Sequence, residues 1–420
     1  MKAFSKMSKD ELKLIKSDLQ KQYDEFKDQG LNLDMSRGKP SSEQLDLSME
    51  LLNCHEYLKD GVDCRNYGGL EGLNALREFF AKLLEVDTKN VVIGGTSSLT
   101  LMFDYLSQAM LSGVLKNTPW SKLDHVKFLC PAPGYDRHFA FLEYFGIEMI
   151  TVPMNDEGPD LNVIQKYIQD EQVKGMFCVP KYSNPTGITY SDATVKGLAA
   201  LKPAAKDFRI IYDNAYSVHD LTVPGDKLLN IFDELPKHNN EDLVIMVAST
   251  SKITFAGSGV SCIVASDNNI ADIKKRLNVQ SISQDKMNQL RHLAFLKDID
   301  HLKAHMQKHA AILKPKFDCV LNELETELAG KEIATWSSPN GGYFISVDVM
   351  PGCAKRVGQL CKEAGVTLTT IGATFPYGKD PQDTNIRIAP SYPSVDELSK
   401  AAKLLTISIQ LAAIEKICEI

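Results

Sequence analysis

The stretch LVIMVASTSK, residues 243–252, runs from a continuous apolar segment into three hydroxyl residues and a lysine. Two similar stretches precede it. FRIIYDNAY at 208–216 ends in a polar segment, as does GMFCVPKYSNPTG at 175–187. Short continuous apolar runs are typical of strands that are buried on both faces of a parallel sheet. Ligands of open α/β sheets bind beyond the carboxyl ends of the strands, so we expect these three polar ends to share one site.

Further apolar runs alternate with helical patterns around this region. They are VVIGG at 91–95, VKFLC at 126–130 and SCIVAS at 261–266. This order predicts an α/β fold with a mostly parallel central sheet in a large domain. Residues 285–328 have a long helical pattern, with Pro315 as the expected interruption or kink. The apolar runs beyond that pattern predict a smaller α+β domain.

Apolar residues at helical spacing from Leu12 to Tyr23 predict an amphipathic helix at the start of the chain. A chain of 420 residues is long enough for more than one domain. We expect residues 1–48 to form an N-terminal helix and loop packed with the small domain. Residues 49–300 would form the large domain, and residues 301–420 the small one.

Charge and cysteine content exclude several classes of protein. The formal net charge is -7, and the 47 basic residues form no basic stripe, so a nucleic-acid partner is not expected. The nine cysteines form no C-x-x-C pair and have no histidine cluster beside them, so no metal site is expected. The opening segment MKAFSKMSKDELKLIK lacks the apolar stretch of a secretory signal, and no apolar run is long enough to span a membrane. We therefore expect a cytoplasmic protein.

The three polar strand ends carry residues with distinct chemistry. Asp213 follows three apolar positions, where a carboxylate requires a cationic partner, although a structural ion pair or helix cap would also explain it. Lys252 follows a buried strand, where a lowered pKa would make its amine a nucleophile, although most lysines are solvated surface residues. An amine, a carboxylate, and Asn and Tyr hydrogen-bond donors are together the groups that pyridoxal phosphate requires.

The motifs S-N-P-T-G at 183–187, D-x-x-Y at 213–216 and S-x-S-K at 249–252 resemble, in this order, those of the fold-type I aminotransferases. That group, class I and II, includes aspartate aminotransferase, and the resemblance extends from Arg37 to the end of the chain. It implies the pyridoxal-phosphate-dependent transferase fold of type I and pyridoxal phosphate as cofactor. It also implies that Lys252 is the Schiff-base lysine and proton shuttle, with Asp213 and Tyr216 as the other catalytic residues.

The resemblance also implies a set of cofactor-binding residues, each with a simpler explanation. A helix start rich in hydroxyls suits a phosphate, although such residues also cap helices in proteins without ligands. Tyr135 would stack on the cofactor ring, with a buried core tyrosine as the alternative, and His138 would support Asp213 from behind. The implied residues are Gly95, Thr96, Ser97, Ser98, Tyr135, Asn184, Asp213, Tyr216, Ser249, Ser251 and Lys252. Tyr67 would reach the cofactor phosphate of a neighbouring subunit, which implies a homodimer with shared active sites.

Substrate binding is implied for Gly38, Asn184 and Arg387. Arg387 would hold the substrate α-carboxylate through two parallel hydrogen bonds, with a surface salt bridge as the alternative. A second substrate carboxylate would require another cation. The candidates are Arg37, Lys39 and Arg137, each of which is otherwise an ordinary solvated charge.

One segment departs from the family pattern. Most relatives have a phosphate-binding arginine after the lysine, but ITFAGSGVSC at 253–262 contains no basic residue. The phosphate would then rely on hydroxyl groups or on a cation from elsewhere. The stretches MSRGKP, PGYDRHF and SKITFAG resemble a divergent bacterial branch of aspartate aminotransferases, sometimes grouped with the aminotransferase domains of MocR-type regulators.

We therefore expect ping-pong transamination between amino acids and 2-oxo acids, with aspartate and 2-oxoglutarate as the substrate pair. A second hypothesis keeps the fold and cofactor but changes the reaction, as in a C-S lyase, a decarboxylase, or an aromatic or alanine aminotransferase. A third is the ligand-sensing domain of a transcription regulator. The residues before Arg37 are too few for a winged helix-turn-helix domain, which disfavours that third hypothesis.

Overall fold

The computed structural model describes residues 2–419. Its strands are β1 Leu33–Asp34, β2 Leu58–Lys59, β3 Val62–Asp63, β4 Val91–Ile93, β5 Lys127–Ala132, β6 Glu148–Asn155, β7 Gly158–Pro159, β8 Val173–Cys178, β9 Arg209–Asp213, β10 Val244–Ser249, β11 Ser261–Ala265, β12 Ala334–Trp336, β13 Ile345–Val349, β14 Val366–Thr367 and β15 Asn385–Ile388. Its α-helices are α1 Lys9–Asp28, α2 Ser42–Asp46, α3 Asn74–Leu84, α4 Ser98–Ser112, α5 Asp136–Tyr144, α6 Leu161–Tyr167, α7 Asp192–Ala199, α8 Ile231–Glu234, α9 Asp267–Gln280, α10 Lys286–Leu296, α11 Ile299–Leu328, α12 Ala354–Glu363 and α13 Val395–Cys418.

The central sheet has eight strands in the order β4-β11-β10-β9-β8-β5-β6-β7. Neighbours from β10 to β6 pair in parallel, whereas β11 and β7 run against the strands beside them. Strand β10 shows why the apolar runs are continuous, because Met246 packs into the core on one face of the sheet and Val247 into the core on the other. The prediction of an α/β fold with a mostly parallel sheet is confirmed.

The structure differs from the sequence predictions in two places. Strand β6 was not predicted, because as a strand near the sheet edge it alternates buried and exposed residues instead of forming a continuous apolar run. The long helical pattern is interrupted at Lys297, not at Pro315. Lys297 has φ 57°, which ends α10, and Asp298 caps the start of α11 by accepting from the His301 N–H. Pro315 lies inside α11, where the buried neighbours Leu313 and Phe317 stabilise the helix around it.

A second, smaller sheet consists of β12, β13 and β15, all antiparallel. It shares a hydrophobic core with α11, α12 and α13 and with the N-terminal helix α1. Tyr23 of α1 also donates a hydrogen bond of 2.9 Å to the Leu360 carbonyl of α12. This core also contains Val179 and Tyr182 from the segment after β8, so the division of the chain near residues 48 and 300 stays a prediction.

None of the helices among residues 2–419 combines the length and the apolar character that crossing a membrane requires.

Helix α1 provides a matched test of core packing. Leu12 is 0% exposed, whereas Leu14, on the opposite face of the helix, is 71% exposed. We expect Leu12→Ala to lower the free energy of unfolding by about 2–5 kcal/mol, because it leaves a cavity in the core of the smaller sheet. Leu14→Ala should change it by less than about 0.5 kcal/mol. Urea denaturation followed by circular dichroism measures both, and equal midpoints for the two variants would contradict this packing of α1.

Candidate active site

The polar ends of β8, β9 and β10 lie side by side. These strands are parallel neighbours, with Cys178 opposite Tyr212 and Asp213 opposite Val247. The segments that leave their carboxyl ends carry Asn184, Asp213 and Lys252, so the topology alone directs these three residues to one edge of the sheet.

Asp213 is a buried carboxylate with one oxygen held and the other free. His138 Nε2 lies 3.1 Å from Asp213 Oδ2, and the imidazole stacks on Phe177 with ring centres 4.3 Å apart. Asp213 Oδ1 is buried and has no hydrogen-bond partner among residues 2–419. A buried carboxylate oxygen without a donor is costly, so this atom suits a ligand that brings a cationic N–H group.

Lys252 faces two aromatic rings. Its Nζ lies 5.0 Å from the ring centre of Tyr216 and 5.7 Å from that of Tyr343. Although part of the side chain reaches solvent, desolvation by the surrounding protein lowers the pKa of this amine, and the charge of Asp213 offsets the shift only in part. A lowered pKa raises the fraction of neutral, nucleophilic amine.

Tyr216 and Tyr135 complete this side of the site. The pKa of Tyr216 lies well above its ordinary value, mainly because the residue is buried and secondly because Tyr135 and Asp213 are nearby. Its hydroxyl therefore remains a hydrogen-bond donor. Tyr135 lies against His138 in an edge-to-face arrangement, with ring centres 5.0 Å apart. The structure therefore brings the sequence-predicted residues Tyr135, His138, Asp213, Tyr216 and Lys252 together.

The turn from β4 into α4 reaches the same site. Ser97 caps α4 by accepting from the Leu99 N–H, and Ser98 begins the helix. The Thr96 carbonyl accepts a hydrogen bond of 3.2 Å from Ser251 Oγ, which is one residue from Lys252. The Gly95 carbonyl is likewise held by Ser261 at 2.8 Å. Backbone N–H groups at the start of a 15-residue helix favour an anion beside the lysine.

Two of the predicted hydroxyl donors are also close to this turn. Ser249 Oγ lies 3.1 Å from Ser251 Oγ, so both side chains border the segment that holds Thr96. Residues 253–262 contain no basic residue. The hydroxyl groups of Ser249 and Ser251 are therefore candidate donors to an anion beside this turn.

Arg387 is buried in β15 and is already engaged by polar partners. Its Nη1 donates to Asp136 Oδ1 at 2.8 Å and to Asn184 Oδ1 at 3.2 Å, while its Nε donates to Thr369 Oγ1 at 3.2 Å. Its Nη2 donates to no described residue. The guanidinium also lies over the Phe344 ring at 4.8 Å. Only Nη2 is therefore open to a carboxylate, and the expected pair of parallel hydrogen bonds would require a carboxylate to displace a partner of Nε or Nη1. The salt bridge to Asp136 was not anticipated from the sequence.

Gly38 packs directly against this arrangement. A Cβ atom at Gly38 would lie 2.3 Å from the Phe344 ring, so any larger residue would displace the ring beneath Arg387. This close contact explains why the segment MSRGKP has a glycine at this position. It also joins the N-terminal loop to the site.

The candidate cations for a second carboxylate are all exposed. Lys39 Nζ lies 3.7 Å from the ring centre of Tyr392, which gives it a partner on the surface. Arg137 follows Asp136 in α5, and its charge acts on Tyr135, so it is electrostatically coupled to the site. Arg37 forms no salt bridge among the described residues.

Tyr67 points outward, with 78% of its surface exposed. The loop that carries it is held by Lys286, whose buried ammonium donates to the carbonyls of Asn66 at 2.8 Å and Gly68 at 2.5 Å. A rigid loop that presents an exposed tyrosine suits a contact with another chain.

Several residues around the site were missed by the sequence analysis. They are Gln44, Asp136, Lys286, His305, His309 and Tyr343. Gln44 had a local signal, because Ser41 and Gln44 form the S-x-x-Q pattern of a capping box. The others come from distant segments, and nothing in their spacing indicates that they meet.

Comparison with known proteins agrees with this geometry. The family model described as aspartate amino-transferase matches residues 7–419. A protein of Corynebacterium glutamicum named aspartate aminotransferase is 44% identical over 96% of this chain and 94% of its own. A protein of Mycolicibacterium smegmatis, named as an aminotransferase, is 46% identical over 98% of each chain.

Solved structures lead to the same family. The crystal structure of an aspartate transaminase from Corynebacterium glutamicum superposes with a TM-score of 0.95 at 44% identity and covers 97% of both chains. Since the family model spans nearly the whole chain and full-length relatives exceed 40% identity, the chain belongs to the aspartate aminotransferase family and is a transaminase.

Proposed function

We propose that this enzyme transfers the amino group of aspartate to 2-oxoglutarate with pyridoxal phosphate as cofactor. The observation that carries the proposal is the pairing of Lys252, an amine of lowered pKa, with the buried carboxylate of Asp213 in one site. The name of the relative that is 44% identical supports aspartate as the amino donor.

The residues present fit pyridoxal phosphate. Asp213 Oδ1 is buried without a donor, as a carboxylate that awaits a ring N–H would be, and Lys252 supplies the amine that would bind an aldehyde covalently. Gly95, Thr96 and the hydroxyl groups at the start of α4 would hold the phosphate. The cofactor, when bound, supplies a ring that accepts electrons from the substrate Cα bond.

The chain's own residues would then carry the proton and position the reactants. Lys252 Nζ would take the proton from the substrate Cα, and a low pKa keeps that nitrogen available as a base. Asp213, held by His138, would keep a positive charge on the ring nitrogen. Asn184 presents its oxygen to Arg387, so its amide NH₂ group is directed elsewhere and, with Tyr216, would donate to the ring oxygen.

Arg387 would bind the substrate α-carboxylate through Nη2, the nitrogen that its protein partners leave free. Asp136 and Asn184 occupy Nη1 and thereby fix the orientation of the guanidinium. For the second carboxylate of aspartate we propose Arg137, because it lies next to Asp136, the carboxylate partner of Arg387, in α5.

The first test concerns the cofactor. We expect the purified enzyme to be yellow, borohydride to fix the chromophore on the peptide that contains Lys252, and aspartate to convert the spectrum of an untreated sample. Lys252→Ala should keep the circular dichroism of the native enzyme and lose turnover. Mass spectrometry locates the adduct. Transaminase activity that persists in Lys252→Ala, or a product pair of ammonia and keto acid, would contradict the proposal.

The second test separates the three candidate cations. Arg137→Ala should lower kcat/KM for aspartate by about 10- to 100-fold, because a charge-assisted contact is lost, and should leave kcat/KM for alanine nearly unchanged. Arg37→Ala and Lys39→Ala serve as matched controls, with the same charge removed from other exposed positions. A selective loss for aspartate in either control, with none in Arg137→Ala, would transfer the role to that residue.

We further propose that the enzyme is a homodimer in which Tyr67 completes the site of the neighbouring subunit. Support comes from the exposure of Tyr67 and from the Lys286 contacts that hold its loop. The exposed apolar residues Tyr57, Leu58, Val279 and Ile282 are further candidates for buried interface surface.

Hybrid dimers test whether Tyr67 acts across the interface. In co-expressed Tyr67→Ala and Lys252→Ala chains, half of the dimers are hybrids, and each hybrid contains one site with both residues intact. We expect about a quarter of the native activity, well above the sum of the two variants purified separately. Activity no higher than that sum would indicate that Tyr67 acts within its own chain or not at all.

A further inference from the structure

A buried polar chain runs behind the Lys252 site and joins four separate parts of the sequence. Gln44 Nε2 donates to Tyr343 Oη at 2.9 Å and lies 3.1 Å from His309 Nδ1. His309 Nε2 lies 3.1 Å from His305 Nε2, which lies 2.7 Å from the Ile253 carbonyl oxygen. These four side chains are at most 4% exposed. Polar groups buried this deeply are costly unless their partners are in place, so their geometry is closely defined.

The orientation of Gln44 is fixed by its own backbone. The Ser41 N–H donates to Gln44 Oε1 at 3.1 Å, and an N–H group requires an oxygen as its acceptor. The amide nitrogen of Gln44 must then face Tyr343 and His309, and the Tyr343 hydroxyl accepts one of its hydrogens. The capping box of α2 therefore determines where the Tyr343 hydroxyl is held.

Both ends of this chain lie beside Lys252. At one end is the carbonyl of Ile253, the next residue in the sequence. At the other end is the Tyr343 ring, whose centre is 5.7 Å from Lys252 Nζ. The Tyr343 ring is stacked on Tyr216, with centres 6.1 Å apart, so the two rings form one aromatic wall beside the amine. The backbone of the lysine segment and the wall that faces its side chain are thus tied to the same set of residues.

We propose that Tyr343 is a positioning residue for Lys252 and that Gln44, with His309 and His305, holds its ring against the lysine nitrogen. This inference rests on the proposed function of Lys252. The negative face of a tyrosine ring attracts an ammonium group, and the attraction is strongest where water is excluded. Tyr343 and Tyr216 therefore stabilise the protonated state that Lys252 enters when it takes a proton from the substrate.

Among the other groups around Lys252, the charge of Asp213 also favours the protonated amine, whereas the nearby histidines add no charge. The titratable groups that face it are Asp213 of β9, Tyr216 and His219 after β9, Tyr343 before β13, and His305 and His309 of α11 behind Ile253. Burial lowers the pKa of His219, His305 and His309, in the last case to about 4, so all three are neutral near pH 7. The polar chain from Gln44 to His305 thus acts on Lys252 through the position of the Tyr343 ring, because its own side chains carry no charge.

The test follows the ionisation of the Lys252 nitrogen by two measurements: the pH midpoint of the visible spectrum of the cofactor-loaded enzyme, and the acidic limb of kcat for aspartate. Tyr343→Leu removes the ring face, so we expect both to move to lower pH by about half a unit to one unit. Gln44→Leu should move them in the same direction, because it releases the Tyr343 ring without removing it.

A double-mutant cycle tests whether the ring depends on its anchor. Tyr343→Phe keeps the ring but removes the acceptor of Gln44, so Tyr343→Phe and Gln44→Leu break the same hydrogen bond. We expect the double variant to shift no further than the larger single shift. Tyr23→Phe is the matched control, since it removes a buried tyrosine hydrogen bond of 2.9 Å in the same core, away from the site. It should lower the melting temperature and leave both pH values unchanged.

The outcomes separate this inference from the proposed function. A native enzyme without a chromophore on Lys252 would remove the proposed function. A native enzyme with the chromophore and with aspartate turnover, but with unchanged pH values in Tyr343→Leu and Gln44→Leu, would overturn the positioning role alone. A lowered melting temperature without a pH shift in these variants would likewise assign the chain to stability only.

Discussion

The arrangement of this enzyme depends on one constraint: an amine and a carboxylate must be held close together in surroundings that exclude most water. The parallel pairing of β9 with β10 supplies the proximity, because both strands end at the same edge of the sheet. Burial supplies the chemistry. It lowers the pKa of Lys252 and leaves one oxygen of Asp213 without a donor. Neither effect would arise if the two residues belonged to a solvated surface.

The candidate site contains residues from the central sheet and from the smaller sheet. Arg387 of β15 reaches Asp136 and Asn184 on the other side of the site, and Phe344 supports it from below. Gly38 contacts Phe344, so the N-terminal loop contributes to the same surface. The proposed substrate contact of Arg387 and the proposed proton transfer by Lys252 would thus be fixed relative to each other through packing between the two sheets.

Polar contacts behind the candidate reactive groups fix the orientation of those groups. His138 holds Asp213, Asp136 holds Arg387, Lys286 holds the loop of Tyr67, and Gln44 holds Tyr343. Each is a directional bond in a buried or half-buried place, where a lost partner costs more than at the surface. Such contacts restrict the motion of the reactive side chains, and restricted geometry is what catalysis by positioned groups requires.

Local patterns in the sequence determined the strands β8, β9 and β10, the helix caps and the residues at each strand end, because continuous burial and capping depend on near neighbours. Strand β6 and the interruption at Lys297 were not predicted, since alternating polarity and one residue with positive φ are weak local signals. The salt bridge of Arg387 and the contacts of Gln44 with His309 and Tyr343 join residues about 250 to 300 positions apart. Only the folded chain decides such contacts, because side-chain partners across domains follow from packing in three dimensions.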